Sequence, residues 1–321
     1  LWKFFYNAKN YGSILNVQGF DFKKIDEEYE SFVKSYSLIP YFEKELLRAL
    51  VKQAKILGSR YYVVVTNPPY MAYKKMNIKL TKFVNSNYKN SKRDLYSIFI
   101  QRSKELTKSK GLFSIITMQS WIFIPSFQKL RQVIIEQNTI INFLHLGPHA
   151  FDQIGGEIVS TVAFVIRRNK INRFRGTYIS LKKYDTSKEK EKEFENKNNY
   201  FLINQEEFKD LPGAPITYWI SKNMRNIFTA HKSLGEFVEP KQGLTTTDNP
   251  RFVRQWFEVS ISNIGFNMPR IYAINSGFKW FPFNKGGEFS RWYGNLREIV
   301  NFENNGEKLK QLVKEKYRDA E

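Results

Sequence analysis

Apolar positions in the first 60 residues recur at helical spacing. Over residues 42–58, Leu46, Leu47, Leu50, Val51, Ala54 and Leu57 share one face with charges between them, and Gly58 supplies a stop. The pattern predicts an amphipathic helix there and a helical character for residues 1–60. At Tyr61 the period changes. Residues 61–66, Tyr-Tyr-Val-Val-Val-Thr, form a short β-branched run that predicts a strand buried on both faces, as parallel sheets require. The run ends abruptly in Asn67-Pro68-Pro69-Tyr70. After a basic loop, Ser91 and Asp94 have the spacing of a capping box, and Leu95, Ile98, Phe99, Arg102 and Leu106 carry a helix on to Gly111. Residues 112–118 then read as a strand, 125–137 as a second amphipathic helix, 140–146 as a third strand, and 159–167 and 176–181 as two more.

Buried strands alternating with helices of about a dozen residues imply an α/β fold: a mostly parallel sheet with right-handed crossovers, whose last strands, lacking a helix between them, form an antiparallel edge. This is half of a doubly wound sheet. Residues 186–199 are almost entirely polar or charged and read as a solvated boundary. From Leu211 the chain turns to Pro, Gly and aromatics in short segments. The expected organisation is a helical lead-in over 1–60, a catalytic half-domain over 61–185, a connecting region over 186–225 and a loop-rich α+β domain over 226–321.

Charge changes the picture. Among 321 residues, 51 Lys and Arg outweigh 31 Asp and Glu, a net +20, which favours a polyanionic partner or an anionic membrane surface, with nucleic acid first and the basic C-terminal half in support. The absence of cysteine removes disulfides, thiolate metal sites and cysteine nucleophiles, and three histidines, only His145 and His149 being close in sequence, argue against a zinc site. No apolar run reaches the roughly 18 residues of a membrane span, and the first residues lack a signal peptide's pattern, so a soluble, cytoplasmic protein with no membrane partner is expected.

The chemistry concentrates in Asn67-Pro68-Pro69-Tyr70. Open parallel sheets bind ligands at the carboxyl ends of their strands, which is where this tetrapeptide falls. Two prolines stiffen the backbone and remove two N–H donors. The Asn67 side-chain carbonyl and the Pro68 carbonyl then offer acceptors for both hydrogens of an amino group, leaving the nitrogen lone pair directed at an electrophile. Tyr70 offers a ring for a planar base, worth about 1–3 kcal/mol. These are requirements for methylating an exocyclic amine. Read blandly, the tetrapeptide is a strand-terminating turn.

Residues 63–70 resemble the catalytic motif of the N6-adenine DNA methyltransferases, and the strand order resembles the second half of their fold. Longer words occur in order: Thr66-Asn67-Pro68-Pro69-Tyr70-Met71, Asp94-Leu95-Tyr96, Thr117-Met118-Gln119-Ser120-Trp121, His145-Leu146-Gly147-Pro148, Ile154-Gly155-Gly156-Glu157 and Asn284-Lys285-Gly286-Gly287-Glu288. Together they resemble the PglX family, adenine methyltransferases of bacterial BREX phage-defence systems, over essentially the whole chain. The resemblance implies S-adenosylmethionine as cofactor, double-stranded DNA as partner alongside other defence-system proteins, and a target adenine flipped from the duplex. On matching positions it implies that Asn67, Pro68, Pro69 and Tyr70 are catalytic, Asn67 also lying against the cofactor, and that Phe151 adds a second stacking ring. Asp94 reads as a helix cap rather than a ligand. Lys74 and Lys75 are placed to meet phosphates beside the flipped base. In the segment from Leu234 to Phe252, which resembles the opening of a target-recognition domain, Gly243, Thr245, Arg251 and Arg254 are candidate DNA contacts.

One part of the pattern is missing. The glycine-rich turn after the first strand and the acidic residue after the second, which hold the cofactor in these enzymes, are not found. Gly155-Gly156 and Gly286-Gly287 each lack a strand before and a helix after. The chain, starting at Leu1, is therefore expected to be a fragment that begins between the cofactor motifs and the catalytic motif, inactive alone and with one sheet edge unpaired. Alternative readings keep the motif but take RNA or protein glutamine as acceptor, or make the chain a DNA-recognition subunit without methyl transfer; a nuclease lacks the cluster of metal-binding carboxylates.

Overall fold

The fold is described from a computed structural model, in residues 5–35, 40–151, 159–239 and 243–316. The first segment is helical, as its periodicity predicts, with α1 over Phe22–Ser35 and α2 over Tyr41–Gly58. Val51 and Ala54 of α2 turn inward, and Ala54 packs with Phe5 and Val17. Gly58 is required by close packing: a Cβ there would lie 2.3 Å from the Phe22 ring and 2.8 Å from the Val17 carbonyl.

Six strands form the main sheet: β1 (Tyr61–Thr66), β2 (Thr107–Met118), β3 (Thr139–Gly147), β4 (Thr161–Arg167), β5 (Arg175–Ser180) and β6 (Tyr200–Asn204), in the order β1-β2-β4-β3-β5-β6. The β1–β2 and β3–β5 pairs are parallel, and the other three are antiparallel. The sheet is thus mixed, and the expected antiparallel edge is corrected: β4 lies inside the sheet, between β2 and β3. The loop joining β3 to β4 holds no crossover helix in its described part, so the two pair as a hairpin.

Three local expectations are also corrected. β1 is an edge strand and not buried on both faces. Val64 packs on the core, whereas Val63 and Val65 are 59% and 73% exposed. The helix expected to reach Gly111 is α4, Leu95–Leu106, following α3 at Ile78–Asn87. It stops early because Thr107 already pairs with Tyr61, the register then slips so that Val63 faces Leu112, and Lys110 turns through a φ of 63°. Gly111 fits this bulge because a Cβ would come within 2.6 Å of the Tyr62 carbonyl. The capping box is Asp94 with Ser97 rather than Ser91 with Asp94, while the Ser91 hydroxyl bonds Gln101 Oε1 at 2.8 Å.

Helix α5, Gln128–Gln137, covers the core, where Trp121, Phe143, Phe164, Tyr178, Phe208 and Tyr218 form one aromatic cluster. The last two show that residues 186–225, read as a connection, complete this core. Gln205, in the same stretch, donates to the carbonyls of Ile135 and Asn138 at 2.7 and 2.8 Å and accepts from the Ile140 N–H at 2.8 Å. By contacts the chain divides into Leu1–Ser233 and Leu234–Glu321. The second unit holds β7 (Val253–Gln255), β8 (Trp280–Pro282) and β9 (Glu298–Asn301), antiparallel in the order β7-β9-β8, on a core of Phe252, Val300 and Leu309. Among the described residues no helix is long and apolar enough to cross a membrane.

Candidate functional site

Because β1, β2, β3 and β5 run in one direction, their carboxyl ends share one edge of the sheet. Asn67 leaves β1 on that edge with an exposed side chain, Pro68 is buried, Pro69 is exposed and Tyr70 is half-buried against the core. The turn is fastened to the start of α4. Asp94 Oδ1 accepts the Met71 N–H at 3.0 Å and the Tyr96 N–H at 3.3 Å. The Leu95 N–H donates back to the Met71 carbonyl at 2.9 Å, and the Tyr73 N–H donates to the Arg93 carbonyl at 3.0 Å. Asp94 is therefore a cap, as read from sequence, and also the clasp that holds Tyr70 in place. Burial raises its pKa, opposed by the N–H groups of Met71, Tyr96 and Leu95.

Tyr70 meets Tyr96 edge-on, with ring centroids 5.9 Å apart, and Tyr96 meets Phe127 at 6.0 Å. The Tyr96 hydroxyl lies 2.6 Å from Ser120 Oγ, just beyond β2. Burial, and then the Asp94 charge, raise the pKa of Tyr70, so its ring stays a neutral phenol. A second group stands further along the same edge. His145 Nε2 lies 2.6 Å from Gln119 Oε1, and its Nδ1 lies 3.0 Å from the Tyr218 hydroxyl. Burial, with Lys182 nearby, lowers the pKa of His145 to about 4. Lys182 in turn sits 4.5 Å over the ring of Trp219, which is 39% exposed. Tyr96, Gln119 and His145 stood in the sequence words without a role. What joins them is contact along the sheet's edge, between the start of α4, the segment just beyond β2 and the end of β3.

Phe151 follows β3 on this edge, 38% exposed. With β2 and β4 between β1 and β3, it starts from a strand about 14 Å from β1 at ordinary strand spacing, and among the described residues no ring contact joins it to Tyr70. Lys74 and Lys75 are exposed on a short helical turn, Tyr73–Lys75, just past Tyr70. In the second unit, Thr245 lines a cavity of about 640 Å³ with Thr246, Asn249, Phe283 and Lys285. Gly243 is exposed, with open space where a Cβ would stand. Arg251 lies over the Phe252 ring at 5.1 Å. Arg254 folds back on its own strand, with Nη1 donating to the carbonyls of Pro250 and Val253 at 2.6 and 2.7 Å. The words at 154–157 and at Lys241-Gln242 lie outside the described residues.

Residues 6–151 match the family model "Eco57I restriction-modification methylase". Across 96% of its length the chain is 37% identical to the adenine-specific methyltransferase PglX of Lacticaseibacillus casei (strain Zhang) and 36% identical to the adenine-specific methyltransferase BrxX of Escherichia coli O9:H4 (strain HS). The chain is PglX-like. It spans about a quarter of those relatives, 27% and 25% of their own lengths. Among solved structures, a nuclease-deletion mutant of the Type ISP restriction-modification enzyme LlaGI in complex with a DNA substrate mimic aligns over 55% of this chain and 19% of its own, at 18% identity and a TM-score of 0.39.

Proposed function

We propose that this chain carries the acceptor side of an adenine-N6 DNA methyltransferase using S-adenosylmethionine, as the modification component of a phage-defence system. The observation that carries the reading is the Asn67–Tyr70 turn: it leaves the strand's carboxyl end with an exposed amide and a half-buried ring, and Asp94 clasps it to α4. In this reading the Asn67 Oδ1 and the Pro68 carbonyl accept the two N6 hydrogens of an extruded adenine. Tyr70, supported edge-on by Tyr96, stacks on the base and offsets part of the few kcal/mol that flipping costs. Phe151 is the second stacking candidate. Lys74 and Lys75 meet flanking phosphates, and Gly243, Thr245, Arg251 and Arg254 belong to the surface that reads the site.

When bound, S-adenosylmethionine supplies the electrophilic methyl group. The fit to it is one-sided: the amide of Asn67 stands free at the end of an edge strand among the described residues, while the glycine turn is absent from the sequence. Asn67 is thus the one residue here assigned to the cofactor side, and holding the amine by two acceptors is this chain's contribution to orientation.

Methylation of duplex DNA by the full-length protein tests the assignment. Asn67→Ala is expected to abolish N6-methyladenine formation. Tyr70→Ala is expected to lower it about 5- to 150-fold, the equivalent of one stacking interaction, and Tyr70→Phe to retain it. Wild-type rates in both alanine variants would remove the reading.

A further inference from the structure

The segment between Tyr70 and Asp94 carries Lys74, Lys75, Lys79, Lys82, Lys89, Lys92 and Arg93 with no acidic residue among them. The last three meet the start of another helix. A cavity of about 360 Å³ is lined by Lys89, Lys92 and Arg93 on one side and by Ser126, Gln128 and Lys129 on the other. No acidic residue lines it, and among the described residues none of its four cations forms an ion pair.

The cations stand on a braced support. On one side of their turn, Tyr88 is buried with its hydroxyl donating to the Ile14 carbonyl at 2.5 Å. On the other is the Asp94 cap, and Lys92 Nζ donates to Asn85 Oδ1 at 3.1 Å. Like charges gathered in one concavity repel each other, so such an arrangement is best satisfied by an anion. The place also matters. Ser126 and Gln128 of the cavity wall flank Phe127 in sequence, Phe127 meets Tyr96 at 6.0 Å, and Tyr96 meets Tyr70 at 5.9 Å, so the pocket's wall and the Asn67–Tyr70 turn are joined through one run of rings.

The geometry points to a phosphate pocket: Lys89, Lys92, Arg93 and Lys129 together hold one backbone phosphodiester of the DNA strand that carries the target base. The inference rests on the methyltransferase reading for the identity of the polyanion. It assigns a built site distinct from Lys74 and Lys75. Its use is register: a phosphate contact beyond the extruded base fixes how far the strand has advanced past Tyr70 without reading sequence.

The test measures binding of the full-length protein to a random-sequence 30-base-pair duplex across a salt series. Lys89→Gln/Arg93→Gln/Lys129→Gln, all exposed positions, is compared with the exposed control Lys52→Gln/Lys188→Gln/Lys232→Gln. The pocket triple should flatten the log K against log salt slope by about 1, one phosphate contact, and weaken binding several-fold at low salt; the control triple should flatten it less. Equal slopes in the pocket triple and the wild type overturn the pocket. A thermal shift with inorganic phosphate at constant ionic strength, lost in the pocket triple while its duplex slope stays that of the wild type, assigns a small-anion site and also overturns it. A wild type that binds no duplex at all instead sinks the DNA reading itself.

Discussion

A neutral imidazole is the form that fits between Gln119 and Tyr218. With Gln119 Oε1 as the acceptor at 2.6 Å, the ring donates from Nε2, and Nδ1 is left to accept from the Tyr218 hydroxyl. Protonation would add a second donor facing that hydroxyl and place a charge in a buried site near Lys182. Burial first, and then the Lys182 charge, lower the folded pKa from 6.5 to about 4. The sign for stability follows. Between those two values the unfolded chain binds the proton more readily than the folded one, so stability is complete above about 6.5 and drains as the pH drops toward 4. The loss attributable to this ring is about 2 kcal/mol between pH 7 and pH 5. Urea unfolding of wild type and His145→Gln at both pH values should show that difference only in the wild type. An equal pH dependence in the two proteins would mean that the ring is charged when folded.

At the scale of elements, α5 is fixed by one side chain. Arg131 is buried on this helix, and its guanidinium donates to the carbonyls of Trp121 and Ile124 at 2.8 Å, of Gly213 at 2.8 Å and of Ala214 at 3.2 Å. It thereby ties the segment after β2 to the 213–214 turn, at the expense of a pKa lowered to about 10 by burial. Arg131→Leu strands several of these acceptors and is expected to cost about 3 kcal/mol or more in urea unfolding, with Arg131→Lys in between. A loss under about 0.5 kcal/mol for both would show that the carbonyls find other donors. This tie was not legible in the sequence, where Arg131 is one basic residue on an amphipathic helix, because its acceptors are backbone groups as many as 83 positions away. The same limit explains the other differences. Periodicity marks β1 to β5, since each is a self-contained apolar run, but β-branched composition cannot say whether a strand lies inside a sheet or at its edge, and so it predicts a buried β1. Helical spacing overruns the end of α4 because Thr107 is claimed by Tyr61, a partner 46 residues earlier. The Asn67–Tyr70 turn was legible because proline fixes backbone locally. The clasp by Asp94 needed the fold.

Across the whole molecule the charge is unevenly placed. Thirty-eight of the 51 basic and 20 of the 31 acidic residues lie in Leu1–Ser233, leaving +18 there and +2 in Leu234–Glu321. The excess thus lies in the unit that holds β1 and the Asn67–Tyr70 turn rather than in Leu234–Glu321. An excess of this size repels itself and lowers the stability of the compact state, to a degree set by screening. The Debye length shrinks from about 30 Å at 0.01 M salt to about 8 Å at 0.15 M, which takes it below the dimensions of the first unit. Melting temperature should therefore rise across that range for the full-length protein. The rise should be smaller in Lys52→Gln/Lys188→Gln/Lys232→Gln, which lowers the charge of the first unit, than in Lys308→Gln/Lys310→Gln/Lys314→Gln, which lowers that of the second. A random-sequence duplex at low salt should raise the melting temperature further, because a ligand that favours the folded state stabilises it by mass action. Differential scanning fluorimetry over the salt series reads all three effects. A melting temperature that falls with salt, or two triples that respond alike, would show that the excess charge is neutralised within the fold and is not held ready for a polyanion.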